Sequence, residues 1–275
     1  MLEIPETLEI SKQINEHITS KRILNVIAAQ SPHKFAWYYG DPAKYHELLS
    51  GKVMGKARGV GSFVEIKAEE AVILFSEGVA LRYHSETEKR PNKHQLMIEF
   101  EDFSSLSASI QMYGGTLCFN EGAFVSEYYV VAKEKPSPLS EQFDRLYFEG
   151  IISTPGNEKL SAKALLATEQ RIPGLGNGVL QDILFNSSIH PKKKVKSFTS
   201  EDKENLFSSI KNTLAEMTFK GGRDTEKDLF GCYGGYSTKL SKNTADKPCP
   251  VCGDLIRKEA YLGGSIYYCP TCQKL

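Results

Sequence analysis

The stretch QRIPGLGNGVLQDILFNSSIHP, residues 170–191, joins two predicted helices through a turn that is rich in glycine. The first helix is predicted to end near Arg171, and the second to begin just after Asn177. Backbone N–H groups at a helix N-terminus, with an Asn amide beside them, are suited to binding phosphate. The alternative is a helix hairpin that needs Gly174 and Gly176 only for close packing. The stretch therefore predicts either a nucleic-acid contact or a tightly packed turn.

A basic run, KKKVK, follows this stretch from Lys192 to Lys196. Such a run is often only a solvated surface, but beside a helix hairpin it favours a nucleic-acid partner. Lys and Arg outnumber Asp and Glu by 18 to 13 from Glu158 to Leu275, although the whole chain carries 34 of each. Lys192 is therefore a candidate for binding DNA.

Four of the six cysteines form two CxxC pairs near the C-terminal end. They are Cys249, Cys252, Cys269 and Cys272. Two tight turns that each present two thiolates create a tetrahedral site, an arrangement that zinc prefers. Four thiolates leave no open coordination position, so we expect a structural Zn²⁺. Two disulfides or an iron–sulfur site are the alternatives.

The segment between the cysteine pairs predicts a β-hairpin with a two-residue turn at Gly263–Gly264, because glycine tolerates the positive φ angles of such turns. The remaining cysteines, Cys118 and Cys232, have no visible partner and are expected to be buried thiols. No signal peptide and no apolar run of about 20 residues is present. We therefore expect an intracellular, cytoplasmic protein associated with the nucleoid, which has no membrane partner.

The first half of the chain is predicted to contain one helix followed by a series of β-strands. Apolar residues at roughly helical spacing predict one helix from Pro5 to about Ser20. Short β-type runs between turns, from about Val53 to a last run EYYVVA that ends near Val131, then predict an antiparallel sandwich or flattened barrel. The segment KEKPSPLSEQ has the composition of a linker.

Helical patterns follow the linker. The longest is predicted to have Ser200 as its N-cap and to stop at Gly221–Gly222. The chain thus predicts an α+β fold with a β-sandwich domain followed by a helical domain and a metal-binding hairpin.

The Gln170–Pro191 stretch, the C-terminal cysteine pairs and the opening residues MLEIPE together resemble the formamidopyrimidine-DNA glycosylase and endonuclease VIII family. The resemblance spans essentially the whole chain. It implies an N-terminal β-sandwich flanked by helices and a C-terminal helix-two-turn-helix domain with a zinc β-ribbon. The implied boundaries are 1–135 for the sandwich, 136–152 for the linker, 153–235 for the helix-two-turn-helix domain and 245–275 for the ribbon.

In that family the two domains grip duplex DNA and a damaged base is flipped into a pocket. The resemblance implies that an N-terminal proline amine attacks the sugar to form a Schiff base. Here Leu2 stands at the position of that proline. Because Met removal needs a small second residue, we expect Met1 to stay and the amine to be displaced by one residue. Glu3 matches the acid that acts on the sugar ring, and Glu6 is implied to anchor the terminus.

Two further family positions differ, and two are retained. Where the family has a lysine in a β-turn, this chain has Val60 or Ser62, and where the family has an arginine at the hairpin tip it has Gly264. His94 matches a family position near the DNA, and Asn177 matches the asparagine that binds phosphate.

These features predict a DNA-binding, base-excision-repair-like protein in which N-glycosylase and AP-lyase chemistry is weakened, altered or lost. An active damaged-base glycosylase that uses a primary N-terminal amine or a water is the first alternative. A non-catalytic RNA- or protein-binding module is the second. The expected partner is double-stranded DNA, including damaged or abasic DNA, and the expected state is a monomer. For Glu3 and Glu6 an ordinary helix start, with acidic residues favoured by the helix dipole, remains open.

Overall fold

The computed structural model describes residues 1–275 as seven α-helices and eleven β-strands. The helices are α1 (Ile4–His17), α2 (Tyr45–Leu49), α3 (Glu127–Glu134), α4 (Arg145–Ser153), α5 (Ala162–Ala167), α6 (Val179–Asn186) and α7 (Ser200–Phe219). The first six strands are β1 (Ile23–Ala28), β2 (Ala36–Trp37), β3 (Met54–Val60), β4 (Phe63–Ala68), β5 (Ala71–Phe75) and β6 (Val79–His84). The others are β7 (Leu96–Phe100), β8 (Ser105–Ile110), β9 (Gly114–Asn120), β10 (Arg257–Tyr261) and β11 (Gly264–Tyr268). No helix has the length and apolar character needed to span a membrane.

Two sheets form the predicted sandwich in the N-terminal half. One has the strand order β1-β7-β8-β6, and the other β2-β9-β5-β4-β3, in which only β2 and β9 are parallel. A core of 26 buried residues lies between them, with apolar side chains from both sheets such as Ile98 and Ile66. The α+β fold and the sandwich are therefore confirmed.

Three local predictions in this half were wrong. Strands β1 and β2 precede the region in which strands were expected, and the run EYYVVA forms helix α3 instead of a strand. Helix α3 buries Tyr129 and Ala132 and leaves Tyr128 exposed, which is a helical pattern of burial. Its aromatic and β-branched residues suggested a strand because β-propensity is largely a measure of packing context. Helix α1 ends at His17, earlier than predicted, and the chain turns at Ser20 with φ 73°.

The helical half has its own core of 21 buried residues, with contributions from α4 to α7. Helix α7 is capped by Thr199, not by the predicted Ser200, and a capping box joins Thr199 to Asp202. Helix α5 ends at Ala167, and the chain then passes through turns with positive φ at Glu169 and Gln170, so the prediction of a helix end near Arg171 was late by about a turn.

Two segments connect the halves. Helix α1 places Ile10 in the sandwich core and Ile4 in the helical core. The loop after α7 also contributes to both cores: Leu229 is buried in the sandwich core and Tyr236 in the helical core. The chain terminus is therefore held between the two cores.

Strands β10 and β11 form the predicted C-terminal hairpin. Tyr261 pairs with Gly264, so the two-residue turn is Leu262–Gly263, with φ angles of 47° and 72°, and not the expected Gly263–Gly264. Ile256 and Phe185 share a small core with two of the cysteines, which joins the hairpin to α6.

Candidate functional site: the chain terminus, the glycine-rich turn and the zinc hairpin

The Glu3 carboxylate caps the N-terminus of helix α6. Its Oε1 accepts a hydrogen bond from Gly178 N at 2.8 Å, and its Oε2 accepts one from Val179 N at 2.7 Å. Glu3 is only 2% exposed. The N–H groups at the start of α6, which the sequence suggested for phosphate, are therefore already engaged by this carboxylate, as expected for an acid at a helix N-terminus.

The predicted glycines pack against the terminus. A Cβ on Gly176 would lie 2.7 Å from Glu3 Oε1, and one on Gly174 would lie 2.4 Å from the backbone of Gly61 in the β3–β4 turn. Gly174 also has φ +81°, a conformation that favours glycine. Close packing therefore accounts for both glycines, and their contact with DNA stays a prediction.

Arg223 lies between Glu3 and Glu6 and is itself only 2% exposed. Its Nε and Nη2 donate to the two oxygens of Glu6 at 2.9 and 2.8 Å, and its Nη1 lies 3.4 Å from Glu3 Oε2. Burial raises the pKa of Glu3, whereas Arg223 and the two backbone donors favour its carboxylate form. Glu6 is thus bound by Arg223, which sequence reasoning missed, and its role as the anchor of the terminus stays a prediction.

The terminal amine lies one residue further out. The side chain of Leu2, which replaces the family's proline, is 3% exposed and belongs to the sandwich core. The α-amino group of Met1 forms an ion pair with Glu226 from the loop after α7. This pair stands beside a cavity of about 460 Å³. The cavity walls include Met1, Glu6, Gln111, Tyr113, Glu226 and Tyr233.

The space around Glu3 is much smaller. The β3–β4 turn consists of Gly61 and Ser62, and Ser62 is 5% exposed. No lysine occupies this turn. A cavity of about 60 Å³ lies against Glu3, Ser62 and Glu77. That volume holds a few water molecules.

Asn177 meets the tip of the zinc hairpin. Its Nδ2 donates to Ser265 O at 3.0 Å, while its Oδ1 has no hydrogen-bond partner. Lys163 approaches the same tip and donates from Nζ to Tyr261 O at 2.6 Å. A Cβ on Gly264 would lie 3.5 Å from Lys163 Nζ and 3.6 Å from the Asn177 side-chain amide. A cationic side chain from α5 therefore lies beside the position where the family's hairpin arginine is absent.

Two other predicted DNA-binding residues are mostly engaged within the protein. Lys192 forms an ion pair with Glu259 of the hairpin. His94 is 6% exposed, with Nδ1 3.2 Å from Pro91 O and Nε2 without a partner. Lys193 binds Asp202 at 2.7 Å, so the basic run does not present one continuous charged face.

The four predicted ligands lie together, with all Sγ atoms within 4.8 Å of one another. The Cys249–Cys272 and Cys252–Cys269 sulfurs are 3.8 and 3.4 Å apart. A tetrahedral zinc ion with bonds of about 2.3 Å sets its sulfurs roughly 3.8 Å apart, whereas a disulfide requires about 2.05 Å. The cluster is a structural zinc site, and the disulfide alternative does not fit.

The two remaining cysteines differ. Cys118 is a buried thiol, as expected. Cys232 is exposed in the loop after α7, so the prediction of burial was wrong there. Its backbone N–H donates to Asp228 Oδ1 at 2.8 Å, and it belongs to none of the buried apolar clusters.

Comparison with known proteins agrees with this architecture. Residues 246–275 match a family model described as a zinc finger found in FPG and IleRS. The chain is 26% identical over 280 residues to a formamidopyrimidine-DNA glycosylase of Bacillus cereus, covering 99% of each chain. It is 28% identical over 283 residues to one of Wolbachia pipientis subsp. Culex pipiens, covering 99% of this chain and 100% of the relative.

Solved structures show the same fold. The MutM (Fpg) protein of Thermus thermophilus matches with a TM-score of 0.80 at 20% identity, covering 98% of each chain. The Lactococcus lactis Fpg, in complex with DNA that contains an abasic site, matches with a TM-score of 0.83 at 20% identity, covering 99% of this chain and all of that one.

Proposed function

We propose that this chain is a member of the formamidopyrimidine-DNA glycosylase and endonuclease VIII family and that it binds double-stranded DNA that is damaged or abasic. Base excision and strand cleavage are weakened, altered or lost in this proposal. The zinc ion stabilises the hairpin and takes no part in the chemistry. A cytoplasmic protein associated with the nucleoid fits this role, because a reducing compartment keeps the four thiolates available.

One observation carries the catalytic half of the proposal. The amine of Met1 is ion-paired to Glu226, while Glu3 is enclosed and bound to the backbone of α6. An amine and an acid that act on one sugar must both reach it in a productive geometry, and small misplacements cost orders of magnitude in rate. Leu2 fills the space at the terminus with an apolar side chain that belongs to the core.

The junction of Asn177, Lys163 and the hairpin tip supports the binding half. A lysine ammonium and an asparagine amide suit phosphate oxygens, which take most protein–DNA hydrogen bonds. Burial lowers the pKa of Lys163 from its usual value. A phosphate anion beside it would favour the charged form.

An active enzyme is the second candidate, and a specific observation favours it. The Met1 amine lies at a cavity of about 460 Å³, within the range of small-molecule sites. A primary amine can form a Schiff base with the aldehyde of an opened abasic sugar. In this version Met1 takes the nucleophile's role and Glu3 remains a structural cap.

The deciding experiment is borohydride trapping. Purified protein, with Met1 retention established by mass spectrometry, is incubated with duplex DNA that holds one abasic site and is then reduced. We expect tight, salt-dependent binding and little or no covalent adduct. An adduct on the Met1 amine, at a rate comparable to an active family enzyme tested alongside, would overturn the claim of lost chemistry. Absence of binding to any duplex would overturn the proposal as a whole.

A further inference from the structure

Trp37 is the only tryptophan in the chain, and it is 52% exposed. It lies on the two-residue strand β2, which pairs with the start of β9 at Gly114 and Gly115. Its ring centroid is 6.0 Å from that of Tyr113, at an interplanar angle of 47°. Since tryptophan is seldom left half-exposed without a partner, the exposed face of this ring requires an explanation.

The support of Trp37 is rigid. Gly114 N donates to Phe35 O at 3.0 Å, which fixes β2 against the β8–β9 turn. Tyr113 donates from its hydroxyl to Glu77 Oε1 at 2.9 Å. Gly78 has φ +82°, and a Cβ there would lie 1.9 Å from Tyr113 O. The β8–β9 turn, which carries Tyr113, therefore packs directly against the backbone of Gly78. The ring pair is therefore held in place before any ligand arrives.

The surroundings of Trp37 point to a nucleic-acid ligand. Tyr113 is also a wall of the 460 Å³ cavity at the chain terminus, so the ring pair continues the rim of that cavity outward. Lys34 Nζ lies 5.2 Å from the ring centroid of Phe35, a 47% exposed ring that precedes Trp37 by two residues in the chain. An aromatic face with an adjacent cation suits a base and its phosphate, and stacking on such rings tolerates any base.

We propose that Trp37, supported by Tyr113, is a stacking platform for one unpaired nucleobase at the rim of the terminal cavity. This inference rests on the proposed DNA binding and specifies the form of DNA preferred: a duplex with an unpaired base. A protein partner that binds the same exposed side chains, which include Phe35 and Met112, is the alternative that the titrations below test.

The test uses the single tryptophan as its own reporter. Tryptophan emission is followed while the protein is titrated with a duplex that carries one unpaired thymine, with the fully paired duplex and with oligothymidylate. Affinity is measured separately by anisotropy of a labelled duplex. We expect saturable quenching by the unpaired-base duplex and about tenfold tighter binding of it than of the paired duplex.

Variants separate stacking from general binding. Trp37→Leu should abolish the preference for the unpaired base and leave affinity for the paired duplex unchanged, while Trp37→Phe should retain part of the preference. Phe219→Leu, which removes a ring that is 90% exposed at the end of α7, is the control and should change neither affinity. Urea unfolding of each variant verifies that the fold is intact.

Each outcome decides one of the two claims. Duplex binding without quenching or preference overturns the platform and leaves the proposed function standing. No duplex binding overturns the proposed function; the oligothymidylate titration then decides the platform, which stands if Trp37 is quenched and falls if it is not.

Discussion

Arg223 and Glu6 form a buried, two-pronged ion pair that ties the loop after α7 to the first turn of α1. Both groups are almost without solvent contact, and Glu3 completes the cluster on the other side of the guanidinium. Neither acid of the opening motif is therefore free in the way that the sequence suggested. The cluster explains why the terminus is fixed and why its chemistry is constrained.

Removing this guanidinium should be costly. Arg223→Leu leaves two buried carboxylates without a countercharge, and breaking one partner of a buried pair costs about 3–5 kcal/mol. Urea unfolding of the zinc-loaded protein measures the loss. The control is Arg145→Leu, which breaks the pair with Glu204 whose side chains are 58% and 39% exposed, at a cost of about 1 kcal/mol or less. Equal losses of unfolding free energy in the two variants would contradict a stabilising role of the Arg223–Glu6–Glu3 cluster.

The N-cap of α7 can be tested by substituting two adjacent residues, Thr199 and Ser200. Thr199 accepts from Asp202 N at 3.0 Å, and Asp202 accepts from Thr199 N at 2.8 Å. Thr199→Ala should lower the free energy of unfolding by about 1 kcal/mol, whereas Ser200→Ala, inside the first turn, should leave it nearly unchanged. Both values come from the same urea titration. A larger loss for Ser200→Ala would place the helix start where the sequence had predicted it.

How much the sequence could reveal depends on the range of the interactions. The zinc ligands are set by local spacing, and the cysteine pattern predicted all four. The burial of Arg223 depends on a loop that contributes to both cores, and no local sequence pattern marks that burial. Helix α3 was missed for a related reason, since Tyr129 packs against Phe63 of β4 with ring centroids 5.6 Å apart, a contact that only the folded chain creates. Ser200 was preferred to Thr199 because both residue types cap helices and only the backbone geometry distinguishes them.

Loss of the zinc should unfold the hairpin and remove its packing against α6. We expect Cys252→Ser to bind less than one zinc per chain and to change the near-ultraviolet signal of the tyrosines on β10 and β11, because metal binding and folding are coupled in such ribbons. Elemental analysis and circular dichroism provide the two readouts. Cys232→Ser removes an exposed thiol outside the cluster and should retain one zinc. A full zinc complement in Cys252→Ser would argue against the four-thiolate site.

The acid side of the stability profile should depend on His84. Its Nε2 lies 2.8 Å from Ser107 Oγ. Burial lowers the pKa of His84, although the nearby carboxylate of Glu88 acts in the opposite direction. Between this lowered pKa and about 6.5, the unfolded chain binds more protons than the native state, so the free energy of unfolding falls as the pH falls. The difference between the urea midpoints measured at about pH 7.5 and about pH 5.5 should be smaller in His84→Gln than in the parent protein. An identical shift in both proteins would exclude His84 as the source.

The salt dependence of DNA binding should separate Lys163 from Asn177. Lys163→Met removes a charge, so affinity should fall and the slope of log affinity against log salt should become shallower by about one. Asn177→Ala removes an uncharged donor and should weaken binding to all sequences without changing the slope. Lys52→Met is the control, because Lys52 pairs with Glu70 at the end of β3 opposite the Gly61 turn. Because Lys163 also holds the hairpin through Tyr261 O, zinc content and unfolding are measured in the same variants. An unchanged slope in a folded, zinc-loaded Lys163→Met protein would remove this lysine from the DNA-binding surface.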